Sequence, residues 1–361
     1  MNITKRRTLS VAFIWSLLVL AGGPAMAEGE DEARAGRDLY DQGDYAGAMR
    51  EWRFGAEKGN TYSMYRVGSL HELGKGVKQD YTKAYRWFRK AADGDFAFAM
   101  VRLGTAYREA IGVNQDYEEA MRWFRKAADK KLKGANLSIG YLYRNGQGVE
   151  QSYVEAMRHF RIDADAGLTS AMYLVGTFYD QGLGVKQSFV EARHWYKTAA
   201  AKGHAFATAQ LGVLCFNGLG GPRDLDAALR DFKFANQSGP GAYTTMRIWL
   251  CLRALDRDAK ATAYVAAYLS KQKVEEWPRS ILGFMAGDVT EKELFSKADA
   301  EKSEDHTARM CEAYYYAGFA KLFADDRESA ISYFEKCIAT GQSDYIEYKS
   351  AIAELQRLRQ K

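Results

Sequence analysis

Proline is scarce, 4 in 361 residues, which excludes a proline-rich linker or a polyproline stalk. Cysteine and histidine are equally thin, at 4 and 5, and none of their spacings matches a structural zinc site, so no metal is expected. Net charge is small. The formal value is +5, but Lys5, Arg6 and Arg7 stand in a leader argued below that carries no acid; the rest holds 48 basic and 46 acidic residues. Such a balance leaves no electrostatic footprint for nucleic acid. No apolar run reaches the length that crosses a bilayer, so no membrane span is expected. The chain is nonetheless 47% hydrophobic and 27% charged, which excludes disorder.

The first 27 residues read as an address. Lys5–Arg7 is basic, Val11 to Ala21 is apolar apart from Ser16, and Ala25-Met26-Ala27 supplies the small residues a signal peptidase reads, with cleavage expected after Ala27. The apolar stretch is about half of what a spanning helix needs. No cysteine follows the cleavage point, so no lipid is expected there. The remainder is expected to be exported and periplasmic, with secretion as the other destination; Arg6-Arg7 leaves general and twin-arginine export both open.

A fixed period organises the middle of the chain. Gly76-Val77 recurs as Gly112-Val113, Gly148-Val149 and Gly184-Val185, and Gly220 continues the series at the same 36-residue step. Gly68, Gly104, Gly140, Gly176 and Gly212 keep that register, as do Ala84, Ala120, Ala156, Ala192 and Ala228. Another position runs Trp87, Trp123, His159, Trp195, Asp231. Within each unit the apolar residues fall three and four apart on either side of a glycine-containing connection, the pattern of two amphipathic helices. A glycine inside the first helix costs about 1 kcal/mol against alanine, so its recurrence implies close approach of the paired helix. One hairpin cannot bury its apolar face alone; stacked copies can, which predicts an all-α solenoid.

Ala-x-x-x-Leu-Gly-x-x-Tyr, then Gly-x-Gly-Val, then Asp-Tyr-x-x-Ala and Trp-Phe-x-Lys-Ala-Ala resemble the Sel1-like repeat, a relative of the tetratricopeptide repeat. The expected organisation is a signal peptide over 1–27, a tetratricopeptide-like capping hairpin over 28–60, five Sel1-like repeats over 61–239, and a tetratricopeptide-like helical region over 240–361. In that last region Trp277-Pro278 marks a break, Thr290 and Glu293 form a capping box, and Cys311 to Tyr316 with Tyr345 to Leu355 resemble the C-terminal part of NlpI-type tetratricopeptide lipoproteins, although the lipid-bearing cysteine is missing. The fold expected is therefore an α/α superhelix ending in a helical bundle.

Catalytic motifs are sparse. Ser270-Lys271-Gln272-Lys273 matches Ser-x-x-Lys without its companion strings, and His71-Glu72 lacks the second histidine of a zinc protease. No cofactor is expected, and the chain is read as a non-enzyme. Cys311 and Cys337 fall on two helices of one hairpin, where a disulfide is geometrically reasonable. Cys215 and Cys251 read as buried thiols. What remains is surface. In tetratricopeptide-like arrays the first helices line a concave groove, and the positions expected to face it include Tyr65, Ser69, Thr105, Arg108, Tyr141, Arg144, Tyr173 and Thr177; Tyr and Arg are frequent interface anchors. The resemblance implies a periplasmic adaptor or scaffold for a protein or peptide in envelope homeostasis or signalling, such as an envelope protease, a peptidoglycan hydrolase or a signalling protein, with a homodimer as a further option. A β-lactamase-like envelope hydrolase and a secreted virulence factor binding a host protein are the alternatives.

Overall fold

The computed structural model describes residues 29–299, 305–343 and 345–360; the leader, with Ala27, lies outside them. The described residues form 19 α-helices and no strand. The chain divides into two compact units. The first runs to Leu142 and includes Gly146–Glu150; it holds α1 (Glu30–Asp41), α2 (Tyr45–Glu57), α3 (Thr61–Leu73), α4 (Tyr81–Asp93), α5 (Ala97–Glu109), α6 (Tyr117–Asp129) and most of α7 (Ala135–Asn145). The second takes Tyr143–Asn145 and everything from Gln151 onward. It holds α8 (Tyr153–Asp165), α9 (Thr169–Gln181), α10 (Phe189–Ala200), α11 (Ala205–Asn217), α12 (Leu225–Gln237), α13 (Ala242–Ala254), α14 (Asp258–Lys271), α15 (Glu276–Ala286), α16 (Glu291–Asp299), α17 (His306–Phe323), α18 (Arg327–Ala339) and α19 (Ile346–Gln360).

The 36-residue period fixes where each repeat's second helix begins. Asp80, Asp116, Ser152, Ser188 and Asp224 are its N-caps, and each side chain accepts a hydrogen bond from the first turn, as from Lys83 N at 2.9 Å and Ala227 N at 2.8 Å. The N–H of each cap residue donates back to the end of the first helix, Asp80 to His71 O at 2.9 Å and Asp224 to Cys215 O at 3.0 Å. The residue before each cap closes the connection a second time. Gln79, Gln115, Gln151 and Gln187 each donate a side-chain N–H to the carbonyl seven residues earlier at 2.8 Å, and Arg223 does the same to Phe216 O at 2.9 Å. These bonds satisfy carbonyls that the helix end leaves without partners.

The recurring glycine is where the two helices of a hairpin meet. A Cβ built on Gly104 would lie 2.5 Å from the Phe124 ring, one on Gly176 2.7 Å from Tyr196, and one on Gly212 2.9 Å from Phe232. The aromatic stands 20 residues after the glycine. The same closure recurs with a 16-residue spacing at Gly36–Trp52 and Gly318–Phe334, in hairpins without the Gly-x-Gly-Val insert. The insert thus lengthens the non-helical connection by four residues while the glycine still meets the aromatic ring. Its second glycine has a different task. Gly112 has φ +71°, and its Cβ would fall 2.2 Å from Tyr81 O, at the start of the preceding repeat's second helix. The fifth repeat, which departs most in sequence, keeps all of these contacts.

In the first unit Ala48, Met49, Trp52, Val67 and Leu70 form one buried cluster, and a second gathers around Phe88, Leu103 and Trp123. Trp52 donates its indole N–H to Ala33 O at 3.1 Å, which ties α2 to α1. In the second unit a single core runs from Val213 to Leu358, so the fifth repeat shares its interior with the C-terminal helices. Trp277-Pro278 does not break the chain there. Both lie in the first turn of α15, where proline is tolerated because its missing N–H would have had no partner. The capping box forms as expected: Thr290 N donates to Glu293 Oε2 at 2.8 Å, and Glu293 N to Thr290 Oγ1 at 3.3 Å.

Glu312 of α17 is an acid inside this core. Its carboxylate accepts from Trp277 Nε1 at 2.7 Å and from Tyr243 OH at 3.2 Å. Burial, reinforced by the charge of Glu347, pushes its pKa up to about 7, against the pull of the two donors and of Arg247. The folded chain therefore holds a proton that the unfolded chain has released, and stability falls as pH rises from about 4.5 through 7.

Three substitutions test these contacts. Gly104→Ala, which raises intrinsic helix propensity, should lower stability by about 1–3 kcal/mol in denaturant melts, because the new methyl overlaps Phe124. Ala110→Gly should do the opposite by about 1 kcal/mol, since Ala110 sits at φ +57° in the left-handed cap that Gly74, Gly146, Gly182 and Gly218 fill in the four other repeats. Glu312→Gln keeps both acceptor bonds and removes the proton; its stability relative to wild type should improve from pH 5 to pH 8 by on the order of 2 kcal/mol. Parallel pH profiles would refute the assignment.

Candidate interaction surface

The residues expected to face a groove lie on the first helices of the repeats. In the first unit, Tyr65 of α3 is half-buried, with its ring 5.7 Å from Phe88 and 5.3 Å from Phe96. Ser69 is buried, and its hydroxyl is spent on Tyr65 O at 3.0 Å. Thr105 is half-buried beside a small cleft that Glu72, Tyr85 and Arg102 also line, and Arg102 forms an ion pair with Glu72 from the neighbouring first helix. Arg108 is half-buried, paired with Glu109 at 2.7 Å and set over the Phe124 ring. Tyr141 is half-buried on α7.

In the second unit Arg144 and Tyr173 are half-buried and close enough to interact electrostatically. Thr177 donates its hydroxyl to Tyr173 O at 3.0 Å and accepts from Tyr196 OH at 3.3 Å. Ser69 and Thr177 thus bond back to their own helices and offer little to a ligand, whereas the tyrosines and arginines keep part of their surface in solvent. Packing between neighbouring helices and partial exposure coexist on this face.

An aromatic ledge was not anticipated. Tyr173 stacks on His204 at 5.0 Å, and Phe206 stands 6.3 Å from His204 and 6.5 Å from Tyr173. Phe206 is 73% exposed, more than any other large apolar residue among those described. His204 is the N-cap of α11; its Nδ1 accepts from Ala207 N at 3.2 Å, and burial holds its pKa below the usual histidine value. The first unit carries the same arrangement 108 residues earlier, in Tyr65, Phe96 and Phe98. A search for aromatics recurring at three-repeat spacing finds both.

The same face is closed at α11. Val213 and Phe216, the groove positions of the fifth repeat, are only 9% and 4% exposed, and Ile346 and Ser350 of α19 share their surroundings. Asn217 Nδ2 donates to Ser350 Oγ at 2.8 Å. Arg223 meets Glu354 at 3.5 Å, and Arg247 of α13 meets Glu347 at 3.6 Å. No local signal marks these pairs, which join residues 100 or more positions apart.

Among the described residues no group of three or more His, Cys, Asp or Glu could hold a metal, and no helix is long and apolar enough to cross a membrane. Cys311 and Cys337 lie on facing helices, both buried and present as thiols, with Sγ atoms 3.3 Å apart. Cys215 and Cys251 are buried thiols. Ser270 is exposed near the end of α14, and its hydroxyl donates to Ala267 O at 3.0 Å.

The Sel1 repeat model matches residues 61–96, 97–132, 135–168, 169–204 and 205–230. A Sel1 repeat protein from Oxalobacter formigenes is 31% identical; its structure aligns with a TM-score of 0.60 over 66% of this chain and all of its own. A protective antigen of uropathogenic Escherichia coli with an SLR fold is 24% identical and aligns with a TM-score of 0.66 over 91% of this chain and 71% of its own, which supports the fold. The regular hairpins, the glycine–aromatic closure and these matches agree, and the chain belongs to the Sel1 repeat family, an α/α repeat fold that generally serves protein interaction.

Proposed function

We propose that the chain is an exported, periplasmic adaptor that binds a protein or peptide partner along the first-helix faces, and that it is not an enzyme. The observation that carries this reading is the aromatic ledge. A 73%-exposed phenylalanine braced by a stacked Tyr173–His204 pair is costly in water and useful at an interface, where rigid aromatic anchors contribute most. Arg144 beside Tyr173 adds a donor for carboxylates and carbonyls. A surface already rigid in the free protein loses little entropy on binding. The leader supports export, and the resemblance of the C-terminal helices to NlpI-type lipoproteins favours an envelope protease or peptidoglycan hydrolase as the partner. The hydrolase alternative rests on Ser270, whose hydroxyl is committed to a backbone carbonyl while Lys273 lies past the end of α14.

Capture from a periplasmic extract tests the assignment. Wild type should retain a partner that the variant combining Tyr141→Ala, Tyr173→Ala and Phe206→Ala loses, with helicity unchanged by circular dichroism. Identical partners on both would refute the face. Nitrocefin turnover by wild type that disappears in Ser270→Ala would refute the non-enzymatic reading.

Export also bears on the thiol pair. In an oxidising compartment Cys311 and Cys337 should join, the two thiols passing two protons and two electrons to a disulfide-type oxidant. Protein purified from periplasm should then be lighter by two hydrogens and should resist alkylation at both sites. The bond should add about 3 kcal/mol of stability, lost on reduction. Two alkylatable thiols in freshly isolated protein would contradict it.

A further inference from the structure

We infer that the first-helix face of the second unit holds a guanidinium-binding subsite at Asp180, and that the partner segment it takes carries an arginine alongside an aromatic or large aliphatic residue that seats on Phe206. This subsite deepens the adaptor reading and rests on it: the ledge supplies contact area, and Asp180 sets the charge the partner must bring. The first unit contains the same arrangement with its cation already in place, so the occupant's chemistry can be read from the chain itself.

The two ledges correspond position by position at the 108-residue step. Tyr65 matches Tyr173, Phe88 matches Tyr196, and Phe98 matches Phe206. Two turns further along the first helix stands an acid, Glu72 in α3 and Asp180 in α9, each seven residues after its tyrosine. In the first unit Glu72 is half-buried and forms an ion pair with Arg102 of α5, whose guanidinium also stands 5.5 Å from the centre of the Phe88 ring. At the position of Arg102 the second unit has Gln210. An amide carries no charge, so Asp180 lacks the counter-ion that its equivalent keeps.

Asp180 is half-buried, and among the described residues its carboxylate accepts no hydrogen bond and forms no ion pair. The cations nearest to this stretch are Arg144 of α7 and Lys349 of α19. Arg144 acts on the Tyr173 hydroxyl and Lys349 on the Asp180 carboxyl, but neither comes within ion-pair distance of Asp180. Burial outweighs Lys349 and holds the carboxyl above its usual value. A half-buried carboxylate without a counter-ion is costly, and a cation arriving from outside offsets that cost. Arginine suits the place better than lysine. It is more weakly hydrated, its planar fork gives a carboxylate two parallel bonds, and it packs on aromatic faces such as that of Tyr173. Other positions in the same register offer no such carboxylate: Arg108 is paired with Glu109, and Phe216 is buried.

The test applies the fluorescently labelled full chain to an array of random short peptides. Wild type should select peptides that hold arginine together with Phe, Tyr, Trp or Leu, and exchanging that arginine for citrulline, its neutral isostere, should weaken binding at least about tenfold. Asp180→Asn should bind the arginine and citrulline forms equally. Gln210→Arg rebuilds the internal pair of the first unit and should also erase the preference, and it carries the test alone if Asp180→Asn loses helicity by circular dichroism. Phe206→Ala should weaken both forms. No bound peptide or no arginine preference in wild type, a preference that survives Asp180→Asn or Gln210→Arg in folded protein, or undiminished binding by Phe206→Ala overturns the inference. Capture from periplasmic extract separates it from the broader reading. A partner held equally by wild type and Asp180→Asn removes the subsite and leaves the adaptor standing, whereas no partner on wild type removes both.

Discussion

The contact between a helix backbone and an aromatic ring, made possible by a missing side chain, is what the rest of the molecule is arranged around. At Gly104, Gly176 and Gly212 the two helices of a hairpin approach closely enough that a methyl group would overlap a ring. Dispersion and apolar burial gained there offset the helix propensity lost with alanine. Because the spacing from glycine to ring is 20 residues in the repeats and 16 in the flanking hairpins, the same packing unit serves both. Everything between glycine and ring only has to turn the chain around.

The turn is over-determined. A left-handed cap, a side chain returning to the first helix and an N-cap on the second are repeated with little change in distance. The rigidity that results fixes the first helices, and through them the partly exposed tyrosines, arginines and ledge aromatics. Function in such a fold resides in what these helices leave uncovered, and the chemistry there is that of recognition.

At α11 the array changes character. Val213 and Phe216 are covered by the chain's own last helix, through buried carboxylates facing arginines. Glu312 belongs to the same polar interior, held by Trp277 and Tyr243 beside Glu347. A core that admits these groups trades some stability for a defined register.

The sequence by itself determined the all-α repeat fold, the 36-residue hairpins, the close approach at the internal glycines, the Thr290–Glu293 capping box and the thiol pair facing across one hairpin. Each is encoded by residues within about one repeat of each other, so period and cap chemistry suffice to read them. Pro278 was misplaced because the first turn of a helix has no use for the N–H that proline lacks, and a proline in that turn resembles a break. The aromatic partner of each glycine hid one position beyond the tryptophan series, where ring identity varies between Phe and Tyr while ring volume does not. Tertiary structure alone decided that Ser69 and Thr177 turn back to their own helices, that Tyr173, His204 and Phe206 meet, and that α19 covers the fifth repeat. Those outcomes depend on side-chain orientation or on contacts between residues 100 or more positions apart, where no periodic signal survives and only the accumulated geometry of packed hairpins sets who meets whom.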